Sequence, residues 1–257
     1  MTFSLAACAI GALLSLWTEA AVMGDVAWPD AGPAFSEMLA STHYGHAGLT
    51  AVVLLVLAML VHWRLKRKGA EMRSIHVVAG LVLLVAAARV SIGHASEHGL
   101  FGVVAWIEWL HVLLMSLWAG TVFVAGWIVL PQVLVDESSP TGQRAAYLSA
   151  LSNWATAALA GILATGAYNT YRVLDSPRDL IEGDYGHVLV FKLGFVLVAI
   201  ALGGFNRFHG LPAAMSVQPE KARRGLRGVI AVLRIESAAL LLVLAAAAIL
   251  TSSAPPG

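Results

Sequence analysis

The sequence predicts an all-α, polytopic membrane helix bundle of about seven transmembrane helices with no soluble domain. Three observations carry this. The 257 residues are 59% hydrophobic and 12% charged, where soluble domains carry about 25% charged residues. Mean hydropathy is +0.79. Seven separate stretches reach the roughly 20 apolar residues that a helix needs to cross the bilayer core. The 24 glycines fit too, since glycine is commoner in membrane helices than in soluble ones.

In order, the predicted spans are 3–23, 44–63, 74–95, 103–130, 145–171, 186–208 and 229–252. The first resembles a signal peptide only loosely. Thr18-Glu19-Ala20 suggests a cleavage site, yet Met1-Thr2-Phe3-Ser4 lacks the basic residues such a peptide carries. We therefore read it as a retained span. Short loops connect the spans, so the chain reads as a single membrane domain, 1–257, without internal repeats. Pro131 is expected to end the fourth span without breaking it. Ala157, Gly161 and Thr165, four residues apart in the fifth, form a small-residue stripe that lets helices approach closely.

Lys and Arg set the orientation. Arg64, Lys66, Arg67, Lys68 and Arg73 lie between spans two and three. Arg207, Lys221, Arg223, Arg224, Arg227 and Arg234 lie around the connection from span six to span seven. Both clusters fall on one side, read as cytoplasmic, which puts the N-terminus inside and the C-terminus outside. The opposite connections carry Asp25, Asp30 and Glu37, then Glu97, then Asp175, Asp179, Glu182 and Asp184. A net charge of +1 gives no basis for a nucleic-acid partner, and the single Cys8 excludes an intrachain disulfide and a cysteine-rich metal site.

Six of the nine histidines fall at the predicted outer ends of the spans: His43, His46, His94, His98, His111 and His187. Neutral imidazole is the commonest protein ligand for transition metals. His111 lies deeper, about 10 Å into the fourth span at 1.5 Å per residue. Glu108, His111, Met115 and Trp118 share one face of that helix. Imidazole with thioether suits copper, because thioether is a soft ligand that selects Cu(I). Taken singly, His43, His98 and His187 read as interfacial end-caps and Met115 as core packing. The metal reading rests on their convergence. Arg89 and Lys192 would repel a bare cation nearby and suit an anionic group, with Glu108 and Asp184 as possible partners. A second polar layer, toward the basic end, holds His62, His76, Asn206, Arg207, Arg234 and Glu236. Glu236 is expected to pair with Arg234 or Arg207.

Gly93-His94-Ala95, Leu110-His111, Trp118-Ala119-Gly120 and Leu130-Pro131 begin a familiar order. Thr165-Gly166-Ala167-Tyr168-Asn169, Tyr185-Gly186-His187, Lys192, Asn206-Arg207, Arg234 with Glu236, and the terminal Leu250-Thr251-Ser252-Ser253-Ala254-Pro255-Pro256 continue it. Over roughly residues 90–256 the chain resembles the CopD copper-resistance family of bacterial inner-membrane proteins; residues 1–89 match weakly. The resemblance implies copper handling across the inner membrane, beside a periplasmic CopC-like partner, with His94 and His111 in matching positions. The chain departs from the family pattern at His187, where an arginine is usual.

Three functions compete. The first is copper transport or acceptance at a periplasmic-facing site built from His94, His111, His46, Met115, His43 and His98. The second is a b-type haem protein passing electrons, with His46, His62, His76 and His94 as axial ligands and Arg89 and Lys192 toward the propionates. The pairs His46/His62 and His76/His94 span about 24–27 Å, which is long for stacked haems. The third is a factor that metallates or assembles a copper enzyme. Nothing points to a hydrolase, and no phosphate-binding loop is present.

Overall fold

The structure is a computed structural model that describes residues 1–92, 102–135, 141–173 and 183–252. The described residues form helices and their connections, grouped into two units, Met1–Leu113 and Leu114–Gly257.

The first unit contains α1 (Thr2–Met23), a 3₁₀ turn (Trp28–Asp30), α2 (Gly32–Ser41), α3 (His43–Arg67) and α4 (Glu71–Val90), together with the start of α5 (Val103–Val124). The Thr42 hydroxyl starts α3 by accepting from the Gly45 amide at 2.9 Å. Arg64, Lys66 and Arg67 in its last turn complement the negative end of the helix dipole. The chain then reverses through Gly69, whose φ of +69° is a left-handed conformation that glycine adopts without cost. Helices pack closely where side chains are absent. A Cβ on Gly48 would strike Leu16 of α1, and one on Gly45 would strike the Met38 carbonyl of α2. Leu5, Ala9, Leu55, Ala58 and Val78 form one buried cluster; Leu16, Ala20, Met38 and Val52 form another. Trp17 donates to the Trp28 carbonyl at 2.8 Å and packs against Phe35, which pins the α1–α2 connection.

The second unit contains the rest of α5, a π-helical turn (Ala125–Val129), α6 (Leu130–Val135), α7 (Thr141–Val173), α8 (Gly183–Phe205), a second π-helical turn (Asn206–Gly210), α9 (Leu211–Ala214) and α10 (Pro219–Ser252). Its core runs through Trp118, Val122, Leu148, Ile162, Ala199, Leu226, Val229, Leu240 and Val243. α10 is the best-buried span, with half of its apolar window inside. Backbone contact explains part of this: a Cβ on Gly225 would lie 2.5 Å from the Ala213 carbonyl carbon and the Ala214 nitrogen.

Each π-helical turn ends just before a Leu-Pro pair, Leu130-Pro131 and Leu211-Pro212. Proline has no N–H and its ring clashes with the carbonyl four residues back. Widening the turn absorbs that conflict, and the Leu130 amide reaches the Ala125 carbonyl five residues back. Pro131 therefore does not end the span, contrary to expectation; the helix continues to Val135.

All seven predicted spans have a helix long and apolar enough to cross a membrane, from Thr2–Met23 to Pro219–Leu250. The chain is thus a multi-pass helical membrane protein. Four details differ. α2 occupies what was read as loop. The third helix ends at Val90 instead of residue 95. α10 begins ten residues early, at Pro219, because Ala222, Leu226 and Val229 give its basic first turns a buried face. The packed stripe of α7 is Ala158, Gly161, Ile162 and Thr165, while Ala157 is exposed. Gly161 lies under Leu114, whose Cδ1 would be 2.5 Å from an added Cβ.

Candidate metal centre and the buried polar cluster

His43 and His46 occupy the first turn of α3 and are both exposed. The Nε2 of His43 lies 3.0 Å from the carbonyl oxygen of Ser91, just beyond α4. A carbonyl only accepts, so Nε2 carries the proton and Nδ1 of a neutral ring keeps its lone pair. A backbone carbonyl that fixes the tautomer is the usual second partner of a metal-binding imidazole. His46 is one turn further along the same helix. His94 and His98 lie outside the described residues, although His94 follows Ser91 by three positions in the chain.

His111 and Glu108 are half-buried on α5, and both are engaged in polar interactions, as is half-buried Lys192 on α8. Met115 is 8% exposed and belongs to the apolar core of the second unit with Trp118 and Val122. Arg89 is exposed in the last turn of α4. His187 borders an open groove of about 290 Å³ whose other lining residues are apolar: Val188, Phe191, Leu242, Ala245, Ala246 and Ile249. Among the described residues, no three His, Cys, Asp or Glu side chains gather as a metal-holding group. The described part of the predicted set is therefore a tethered imidazole with a neighbour, His43 and His46, and not a closed cluster.

The haem ligands fare differently. The Nδ1 of His62 lies 2.8 Å from the hydroxyl of Ser74, which is completely buried between α3 and α4. The two helices touch where an inner haem would have to enter between them. His76 uses Nδ1 on the Met72 carbonyl at 2.8 Å and is exposed. This geometry favours a closed α3–α4 hairpin over a haem crevice.

The second unit holds a set of polar groups around its two π-helical turns, of which Asn206 and Glu236 are buried and Arg207 and Arg234 exposed. In a π-helical turn the amide of residue 131 would serve the carbonyl of Gly126, but residue 131 is proline. The orphaned carbonyl takes the Nε of Arg234 at 3.2 Å instead. The same guanidinium lies 4.8 Å above the Trp127 ring, and the Trp127 indole donates to Ser237 at 2.9 Å. Arg207 donates to the Ser152 hydroxyl at 2.6 Å, and to the Thr156 hydroxyl at 3.1 Å. Asn206, 5% exposed, donates Nδ2 to the Val229 carbonyl at 3.4 Å, while its buried Oδ1 accepts no hydrogen bond from the described residues.

Glu236 is 2% exposed. Its carboxyl group lies against Gly203 of α8 and accepts from the Trp118 indole of α5. The expected ion pair with Arg234 or Arg207 is absent, because both guanidinium groups are spent elsewhere, on Gly126 with Trp127 and on Ser152 with Thr156. Sequence reading singled out Glu236 but missed its housing. Gly203, three residues before Asn206, was the available signal: it marks the face of α8 where another side chain approaches.

Comparison with known proteins adds one finding. Residues 145–250 match the family model of CopD, copper resistance protein D. No curated protein and no solved structure shows a significant match. The matched stretch is shorter than the resemblance over 90–256 suggested, and it lies wholly inside the second unit. It takes in His187, Lys192, Asn206, Arg207, Arg234 and Glu236, but not His94 or His111. Over residues 145–250, the chain is similar to the CopD copper resistance protein D family.

Proposed function

We propose that this protein handles copper, moving the ion across the bacterial inner membrane from a periplasmic-facing site of imidazoles, with the N-terminus inside and the C-terminus outside. The family match supports a copper role. The observation that carries the site is the His43–Ser91 hydrogen bond, which leaves Nδ1 of a neutral ring with its lone pair, on the same helix as His46, and ties the ring to the chain three residues before His94 in sequence. We centre the site on His43, His46 and His94, with His98 and His111 as further ligands. Met115 is assigned to packing, in view of its burial in an apolar core. Delivery by a periplasmic CopC-like protein fits the acidic residues of the same predicted side, Asp25, Asp30 and Glu37, which would attract a basic or metal-loaded partner over about 8–10 Å.

Copper titration of purified protein tests the reading. Wild type should bind copper, and His43→Ala and His94→Ala should each weaken binding. Equal affinity and stoichiometry in all three would sink the site. Deletion in cells separates transport from an assembly role. A transporter changes cytoplasmic copper content, whereas an assembly factor changes only the metallation of its client.

A further inference from the structure

The cluster in the second unit contains two groups that its own hydrogen bonds do not explain. Glu236 is a carboxyl group, 2% exposed, with one neutral donor, the Trp118 indole, and no cation partner among the described residues. Asn206 places an oxygen in the interior with no hydrogen-bond donor among the described residues. A structural role accounts for neither. An ion-pair staple would use Arg234, and a purely packed site would not need a carboxylic acid.

Their positions are related. Gly203 near the end of α8 and Asn206 at the start of the turn that continues it are about one turn apart, so they share a face, about 4.5 Å apart along the axis. Glu236 sits at the Gly203 level, and Asn206 lies one turn nearer the basic end of the unit. The Asn206 amide cannot be turned over, since that would aim its oxygen at the Val229 carbonyl. Its Oδ1 faces Gly210 instead, and a Cβ there would lie 2.7 Å from that oxygen and 2.9 Å from Val229 Cγ2. Glycine at 210 thus keeps open the space beside an unpaired acceptor. A buried acceptor left dry costs about 1–3 kcal/mol, and water is the donor that commonly fills such a position.

The ionisable groups around Glu236 are few. From Val112 to Val135 the α5–α6 segment carries none. On α8 and the turn after it they are Arg207, held by Ser152 and Thr156, His209, exposed and stacked on Phe205, and Lys192, three turns away and engaged in an interaction of its own. On α10 they are Arg227 and Arg234, the latter directed at Gly126 and Trp127.

We propose that Glu236 is a proton-exchanging carboxyl inside the membrane, and that Asn206 and Gly210 hold the water through which it reaches the basic end of the second unit. The step balances simply: a carboxylate takes one proton from that water, which is resupplied from bulk solvent, and later returns it. Coupled to copper movement, the proton becomes the counter-ion. That last clause rests on the copper reading, whereas proton exchange at Glu236 does not.

Infrared difference spectroscopy on the full chain in lipid nanodiscs, without copper, tests the exchange. A carboxylic-acid C=O band should titrate with pH and shift on transfer to D₂O. Glu236→Gln should remove it, and Glu236→Asp should move it, which covers a poorly folding glutamine variant. Asn206→Leu and Gly210→Ala should keep the band and slow its deuterium shift several-fold. No such band in wild type, or one indifferent to pH and D₂O, overturns the proposal, as does exchange at the wild-type rate in both water-site variants. Proteoliposomes loaded with a pH dye and given copper then address the coupling. Copper uptake with opposite proton flow supports it. Copper uptake with no proton flow overturns the coupling and leaves the copper reading standing, whereas carboxyl exchange with no copper uptake contradicts the copper reading alone.

Discussion

The two units divide the chemistry unequally. The first, Met1–Leu113, holds seven of the nine histidines, His43, His46, His62, His76, His94, His98 and His111. The second holds two, His187 and His209, but carries the family match, the buried Glu236 and Asn206, and the exposed Arg207 and Arg234 beside its π-helical turns. Candidate metal-binding imidazoles and the buried carboxyl and amide groups therefore sit in different parts of the chain. The family likeness lies in the part with few imidazoles. The difference teaches that a metal-handling reading drawn from histidine counts and one drawn from family likeness rest on different residues, so each must be tested on its own side.

Packing offers the strongest way to break the comparison. Gly225→Ala in the second unit pushes a methyl into backbone atoms of α9 and should cost about 1–3 kcal/mol. Gly48→Ala in the first meets only the tip of the Leu16 side chain, which can move, and should cost less. Thermal denaturation of both in one detergent should rank them so. Equal losses would mean that the second unit is no more tightly constrained at its helix contacts than the first.

Arg234→Ala should be next in size. It strands the Gly126 carbonyl and removes a cation from the Trp127 ring, and hydrogen bonds to charged groups are worth about 1.5–3 kcal/mol. Arg234→Lys should recover only part of this, since an ammonium cannot reproduce the planar guanidinium over the indole. Full recovery by lysine would show that charge alone matters.

His43→Ala sharpens the comparison from the other side. Copper affinity should fall about tenfold, or about 1.4 kcal/mol, while the melting temperature holds because the ring is exposed. A fall in stability with unchanged affinity would make His43 a strut between α3 and the end of α4. The smallest effect is expected at Ala157→Leu, within about 0.5 kcal/mol of wild type, against a clear loss for Gly161→Leu under Leu114. Matching losses would return Ala157 to the packed stripe.

Much of the fold was legible because hydropathy alone decides which segments can enter a bilayer. α3 and α8 show this most simply: continuous apolar runs between basic or glycine-bearing ends. The features that escaped depend on tertiary partners. Pro131 reads as a stop by local chemistry, yet a π-helical turn and Arg234 on another helix absorb its missing donor. Glu236 reads as half of an ion pair because two arginines are near in sequence or pattern, whereas their actual partners, Gly126, Ser152 and Thr156, are dispersed along the chain. At the candidate metal centre, sequence identified His43 and His46 but could not rank them. The Ser91 carbonyl that orients His43 is a backbone group, and no residue type advertises it.

On the proposed function, imidazoles of the first unit, His43 foremost, hold the copper ion. X-ray absorption at the copper edge on purified, copper-loaded protein tests it most directly. The account predicts a first shell dominated by nitrogen with the imidazole scattering pattern, which loses one such ligand in His43→Ala. A sulfur-dominated shell, or a nitrogen shell unchanged by His43→Ala, would contradict it.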